Sequence, residues 1–318
     1  MLSSLVLQNG LLDDQKIWKK ETIYQGTNGK SVERFYLSPK KSYIFKPLTN
    51  ETQIGKEAWI QENILIDFPD IYPKILAKSQ NEDPSRSWLI LEDIGSLQHV
   101  FNEESVRAVI KWMAWWHQYP TEGLVSFPLM GHKPSINTII AEIQLKKEKV
   151  FKLTRSLAIQ HNLIEKIYEN LQMNLFSNQL VLSHGDLHLG NYGLVENQIY
   201  ILDWEHAHLN LPFWDLYHML DLAHPDFPRT MSHDARNYFL DYYLKIRNDS
   251  GSHLDVHSFK RNYHLFSSAF SIWMLLLIQN DLEKNEGKWT VEQLQRELSE
   301  TIITIIQCGE ELQRLTNG

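Results

Sequence analysis

Cysteine is almost missing from this sequence: Cys308 is the only one in 318 residues. That excludes a disulfide within the chain and suits a reducing compartment. There is no block of Lys or Arg either, and 39 acidic residues against 31 basic ones give a net charge of −8, so a nucleic-acid partner is not expected. Long hydrophobic runs are also absent. The longest, Ile272–Ile278, falls far short of the ~18–20 residues needed to cross a bilayer. It reads as a buried helix, and no membrane partner is expected. Met1 to Leu7 carries no basic stretch and too short an apolar one for a signal peptide, so a cytoplasmic location is the expectation. What remains is 43% hydrophobic and 22% charged, an ordinary enzyme-like composition in a chain long enough for two core-bearing lobes. Oligomeric state is left open.

The chemistry concentrates in Ser183-His184-Gly185-Asp186-Leu187-His188-Leu189-Gly190-Asn191, followed by Asp203 in Ile201-Leu202-Asp203-Trp204-Glu205. Phosphoryl transfer uses this order: an Asp in a loop to take or orient the acceptor proton, an Asn five residues on, and a further Asp past a hairpin for a divalent cation. Tyr192–Val195 and Ile199–Leu202 are short β-favouring runs around the turn-like Glu196-Asn197-Gln198. The hairpin they predict returns Asp203 to the side of Asn191, converging two oxygen ligands for a hard cation. A rival reading takes His184, Asp186 and His188 as alternating metal ligands of a metallohydrolase. That chemistry wants an Asp-x-His pair upstream, and the other such pair, Asp255-Val256-His257, lies downstream in a polar segment.

Residues 1–94 read as a strand-rich unit with one helix and 95–318 as a mainly helical one. Strands are expected over Ile17–Tyr24, Val32–Leu37, Ser42–Lys46 and Trp88–Leu91. Between the first two lies the turn Gln25-Gly26-Thr27-Asn28-Gly29. Gly29-Lys30-Ser31 is no Walker loop, because position 24 is Tyr24 rather than Gly and a strand follows. A strand–glycine turn–strand is instead a phosphate-covering flap. Asn50 with Gln53 would cap a helix running through about Ile66, whose Glu57 or Glu62 could reach Lys46. Glu92-Asp93-Ile94-Gly95 breaks the pattern. Helices are expected over Val106–Gln118, Ile136–Leu157, Leu163–Leu175, Trp214–Ala223, Asp234–Ile246, Ser258–Asn280 and Val291–Leu315. The fold class is therefore α+β.

His184–Asn191, Asp203-Trp204-Glu205 and Pro212-Phe213-Trp214-Asp215-Leu216 resemble the aminoglycoside phosphotransferase and choline kinase superfamily. The resemblance implies a two-lobed protein-kinase-like fold, with a small N-terminal antiparallel sheet lobe and a large helical C-terminal lobe. It implies ATP (or GTP) and Mg²⁺ as donor and cofactor, and a small-molecule hydroxyl as acceptor. Asp186 would be the base, with His184 and His188 shaping its loop. Asn191 and Asp203 would hold the metal, and Lys46, positioned by Glu57, would contact the phosphates. Gly26, Gly29 and Ser31 would cover the phosphates, and the backbone from Glu92 to Ile94 would meet the purine. Asp215 would bind the backbone amides of the catalytic loop. An amine-bearing, aminoglycoside-like acceptor would find aromatic and acidic groups in Trp204, Glu205 and Asp221. The alternative to a kinase is a catalytically silent, spore-coat-type binding protein that keeps the fold.

Overall fold

The computed structural model describes residues 2–317 apart from 27–28, 49, 82, 125–128, 130, 174–175, 177–178 and 285–286. Along the chain run β1 (Lys19–Gln25), β2 (Ser31–Ser38), β3 (Lys41–Pro47), α1 (Lys56–Asn63), β4 (Ile75–Lys78) and β5 (Trp88–Glu92). Then come α2 (Glu103–Trp116), α3 (Ile136–Leu145), α4 (Lys147–Ser156), α5 (His161–Met173) and β6 (Val181–Ser183). The chain ends with β7 (Tyr192–Val195), β8 (Gln198–Ile201), β9 (His208–Asn210), α6 (Phe213–Leu220), α7 (His233–Asp249), α8 (Val256–Lys284) and α9 (Val291–Asn317).

These elements form two compact units: Met1–His99 with Asn191–His206, and Val100–Gly190 with Ala207–Gly318. In the first, an antiparallel sheet has the order β1-β2-β3-β5-β4. Alternation drives it: Phe35, Phe45 and Ile90 are buried on one face with Leu12 and Trp88. Strand β4 has too short a pattern to stand out in the sequence and exists through its pairing with β5. The helix begins later than expected. Asn50 caps only a 3₁₀ turn, its side chain accepting from Thr52 N, and Gly55 at φ 70° interrupts the chain before α1 starts.

The hairpin β7–β8 is tied to this same unit, so the division falls after His99 rather than at Glu92–Gly95. Gln98 and Leu194 exchange both backbone hydrogen bonds at 3.0 Å, and Ile201 N donates to Ile71 O at 2.6 Å. Gly193 permits the approach: a Cβ there would sit 2.9 Å from Leu97 Cδ2. The loop Glu196-Asn197 has positive φ at both residues, 47° and 71°, the two-residue turn whose twist matches a hairpin.

The second unit is built on α8, whose face from Phe259 to Ile278 is buried against α9, α3 and α5. By length and composition α8 is the one described helix apolar enough to cross a membrane, and 67% of its most apolar window is buried within the protein. The predicted helix Ile136–Leu157 is two helices, because Lys146 leaves helical geometry at φ −96°, ψ 19°. Strands β6 and β9 pair antiparallel, Ser183 opposite His208, and deliver the chain into the loop that carries Asp186.

Candidate active site

In the first unit the site is organised around Lys46. Strand β3 places its ammonium 2.6 Å from Glu57 Oε2 in the first turn of α1 and 2.7 Å from Asp203 Oδ1 beyond β8. Glu205 Oε2 lies 3.9 Å away. Burial alone would strip the proton from Lys46, but Asp203, Glu57 and Glu205 together raise its pKa well above the ordinary lysine value. Burial, with Asp203 close by, pushes Glu205 up to about 8. The choice between the two helix carboxylates is resolved by geometry. Glu62 points elsewhere and pairs with Lys78 at 2.6 Å.

The predicted hairpin brings Asn191 and Asp203 to one place: Leu202 N donates to Asn191 O at 2.8 Å, one residue before Asp203. Asp203 itself has φ 63°, a left-handed conformation that costs an ordinary residue about 1–3 kcal/mol and turns the chain sharply after β8. Oxygens of Glu57, Asp203 and Glu205 lie within 4.8 Å of one another. With Asn191 at the hairpin mouth, this all-oxygen donor set fits a hard divalent cation such as Mg²⁺.

The rest of the first unit's predicted residues lie in the β1–β2 turn and at the end of β5. Gly26 N donates to Lys30 O at 2.8 Å and Gly29 N to Gly26 O at 2.9 Å. Gly29 has φ 78°, Ser31 opens β2, and Thr27 and Asn28 lie outside the described residues. Glu92 ends β5 with an exposed side chain, its N–H donating to Lys74 O, and Ile94 follows two residues later. Between them Asp93 takes a two-pronged hydrogen bond from Arg34, at 2.8 and 3.1 Å. Nothing in the local sequence marked that pair.

In the second unit the loop after β6 is held by Asp215, which opens α6. Its carboxylate accepts His184 N at 2.8 Å, Gly185 N at 3.1 Å, the Ser183 hydroxyl at 2.6 Å, and Trp116 Nε1 and His117 Nε2 at 3.2 Å each. Burial would raise this carboxyl, but those donors hold it well below the usual carboxylate range. His184 is wholly buried and its Nδ1 accepts from Asp186 N at 3.3 Å. His188 is fixed in the loop as well: Nδ1 accepts from Gly190 N at 3.0 Å, and the ring stacks on His224 at 4.6 Å. Both histidines thus shape the loop. Asp186 emerges from it with Oδ1 2.9 Å from Lys133 Nζ and Oδ2 3.5 Å from His188 Nε2.

A family model described as "Phosphotransferase enzyme family" matches residues 87–247, just over half of the chain. The chain belongs to this family. Solved structures of the same fold as this phosphotransferase include the choline kinase of Cryptosporidium parvum Iowa II, at 15% identity over 98% of this chain and 94% of that one, TM-score 0.58. Another is the GDP and kanamycin complex of APH(2")-IIia, at 16% identity over 96% and 95%, TM-score 0.58. A third is the macrolide 2'-phosphotransferase of Brachybacterium faecium, at 13% over 91% and 93%, TM-score 0.55. At such identities the likeness speaks for the fold. No curated protein gives a significant sequence match.

The phosphotransferase departs from the sequence expectation at the acceptor. Asp221 is buried in a cage made by Arg236 Nε at 2.8 Å, Tyr263 OH at 2.6 Å and Ser267 Oγ at 2.8 Å, so its charge is already compensated inside the helical unit. Trp204 is 2% exposed, edge-on to Phe68. Glu205 belongs to the Lys46 cluster. Asp221 and Trp204 are thus engaged in packing, and Glu205 in the ion cluster of Lys46. Lys133 was missed altogether. It lies 53 residues before Asp186, in a segment with no motif.

Proposed function

We propose that this phosphotransferase moves the γ-phosphate of ATP, or of GTP, to a hydroxyl of a small molecule, with Mg²⁺, in the cytoplasm. The observation that carries the reading is the convergence of Asn191 and Asp203 through the β7–β8 hairpin onto the Lys46–Glu57 pair. In this reading Asn191 and Asp203 would hold the cation, in a cluster that also includes Glu57 and Glu205. Once bound, the cation neutralises charge on the transferring phosphates. Lys46, kept in line by its bond to Glu57, would contact the α/β-phosphates. The turn Gly26–Ser31 covers the phosphates, and the backbone from Glu92 to Ile94 receives the base.

Asp186 orients the acceptor hydroxyl and accepts its proton. An ion-paired carboxylate is a weak base but a good hydrogen-bond acceptor, which suits a loose transition state in which the hydroxyl is deprotonated late. The GDP held by one structural neighbour supports a nucleotide donor and leaves the choice of base to experiment. With Asp221 caged and Trp204 in a core, the amine-bearing acceptor rests on fold likeness alone. The test is an ADP- or GDP-release screen over aminoglycosides, macrolides, choline, ethanolamine and homoserine, with Asp186→Asn as control. We expect one acceptor to stimulate release and Asp186→Asn to lower it about 10³-fold. Full activity in Asp186→Asn would sink the assignment of the base.

A further inference from the structure

We infer that Lys133 is a positioning residue of the transfer site, acting through Asp186: it holds that carboxylate by Oδ1, ionised and fixed in orientation. The inference rests on the reading of Asp186 as the group that meets the acceptor hydroxyl. Lys133 Nζ donates to Asp186 Oδ1 at 2.9 Å and also to His132 Nε2 at 2.8 Å, which fixes the ammonium between two acceptors. Each side chain of the Lys133–Asp186 pair is only 16% exposed. A pair this sheltered is poorly screened and its geometry is not left to solvent.

The segment that carries Lys133 is built to hold it there. Gly131 lies flush on the ring of His208, where a Cβ would come within 2.6 Å of Cε1, so only glycine passes. His208 is itself fixed in β9, taking a hydrogen bond from Asn210 Nδ2 at 2.8 Å and standing edge-on to Trp214. Pro134 biases Lys133 towards extended geometry. Ser135 then caps α3, its Oγ accepting from Thr138 N. Anchor, cation, proline and cap follow one another over five residues, from Gly131 to Ser135.

The titratable and charged groups facing Asp186 within this unit come from several elements. Lys133 and His132 lead into α3, with His132 Nε2 at 3.8 Å, and His188 belongs to the loop of Asp186 itself. His218 of α6 and His224 just beyond α6 also sense its charge. Burial is the largest influence on Asp186 and acts to raise its pKa. The charge of Lys133 is the largest single influence in the other direction, followed by the hydrogen bond and the charge of His188 and then by His132, and the result lies well below the ordinary carboxylate value. Remove the lysine and burial regains ground, so the carboxyl takes up a proton at higher pH.

The experiment is a ¹³Cγ-aspartate NMR titration of the full-length protein, with the Asp186 signal assigned by its loss in Asp186→Asn. It is paired with the pH profile of Mg·ATP turnover on the acceptor panel. Lys133→Met should raise the Asp186 midpoint by about 1–3 units and move the acid limb of kcat/KM in the same direction. Lys133→Arg should restore both, and His132→Ala should move them less. If Lys133→Met does not fold, Lys133→Gln replaces it. An unmoved midpoint in a folded neutral variant, or an arginine variant that behaves like the methionine one, overturns the inference. The titration needs no acceptor. Failure of every variant and the wild type to transfer phosphate would therefore overturn the functional reading, while normal transfer and an unshifted acid limb in Lys133→Met would overturn this inference alone.

Discussion

The two charge centres of this protein are near inversions of one another. In the sheet unit one cation, Lys46, stands among three carboxylates, Glu57, Asp203 and Glu205. In the helical unit one carboxylate, Asp186, stands among Lys133, His132 and His188. The first centre has an excess of negative charge, which a divalent cation and its phosphates can use. The second surrounds its carboxylate with partners that keep it ionised despite burial. Burial opposes the charged state of both central groups, and in both the neighbours win. What differs is the origin of those neighbours. Asp203 and Glu205 sit two residues apart in one motif, whereas Asp186 draws its main counter-charge from a segment 53 residues upstream.

The comparison can be broken most forcefully at the support of the second centre. Asp215→Ala removes the shared acceptor of the His184 and Gly185 amides and of the Ser183, Trp116 and His117 donors inside the helical unit. A loss of about 3–5 kcal/mol is expected, read as a lowered midpoint in urea, with the Asp186 loop opening early in hydrogen exchange. Stability unchanged to within about 1 kcal/mol would show that the loop does not depend on this carboxylate.

Removing the cation of the first centre is the next largest change. Lys46→Met leaves three carboxylates facing one another, so turnover should fall about 10²-fold, near 2.7 kcal/mol. Lys133→Met should instead show its effect mainly at acid pH. Equal pH dependence of the two losses would dissolve the contrast.

A carboxylate whose neighbours do not offset its burial sharpens the comparison further. Glu297 on α9 is 7% exposed, and burial, with Asp281 and Glu300 nearby, pushes its pKa up to about 8. Because the folded state binds this proton more tightly than the unfolded one, its contribution to stability is complete below about pH 4.5 and is lost as pH rises through about 8. Glu297→Gln has no such dependence. Its Tm should pull ahead of the wild type between pH 6 and 9, by the equivalent of about 2 kcal/mol; parallel Tm curves would refute the burial argument. The smallest effect belongs to Glu62→Gln, whose exposed pair with Lys78 is worth about 0.5 kcal/mol or less. Glu57→Gln, by contrast, should cost turnover.

Much of this was readable from local order. The β-favouring runs on either side of Glu196-Asn197-Gln198 specified a hairpin, because a short turn between two such runs folds the chain back on itself; the structure narrows the loop to Glu196-Asn197, with Gln198 opening β8. The sheet strands were visible in the alternation of Phe35 and Phe45, and α8 in its unbroken apolar run. Less was visible where a feature has no local cause. Strand β4 exists by pairing, the chain leaves helical geometry at Lys146 with no local breaker, and Gly55 delays α1 past the turn capped by Asn50. The expectation for Asp221 met the same limit. An acid beside aromatics reads alike whether it faces a ligand or, as Asp221 does, an arginine, a tyrosine and a serine in a core. The sequence by itself determined the order of the phosphotransfer groups and the hairpin that joins Asn191 to Asp203, because both follow from neighbours along the chain. Tertiary structure alone decided that Glu57 rather than Glu62 meets Lys46, and that Lys133 meets Asp186, because a charge chooses its partner by distance in space.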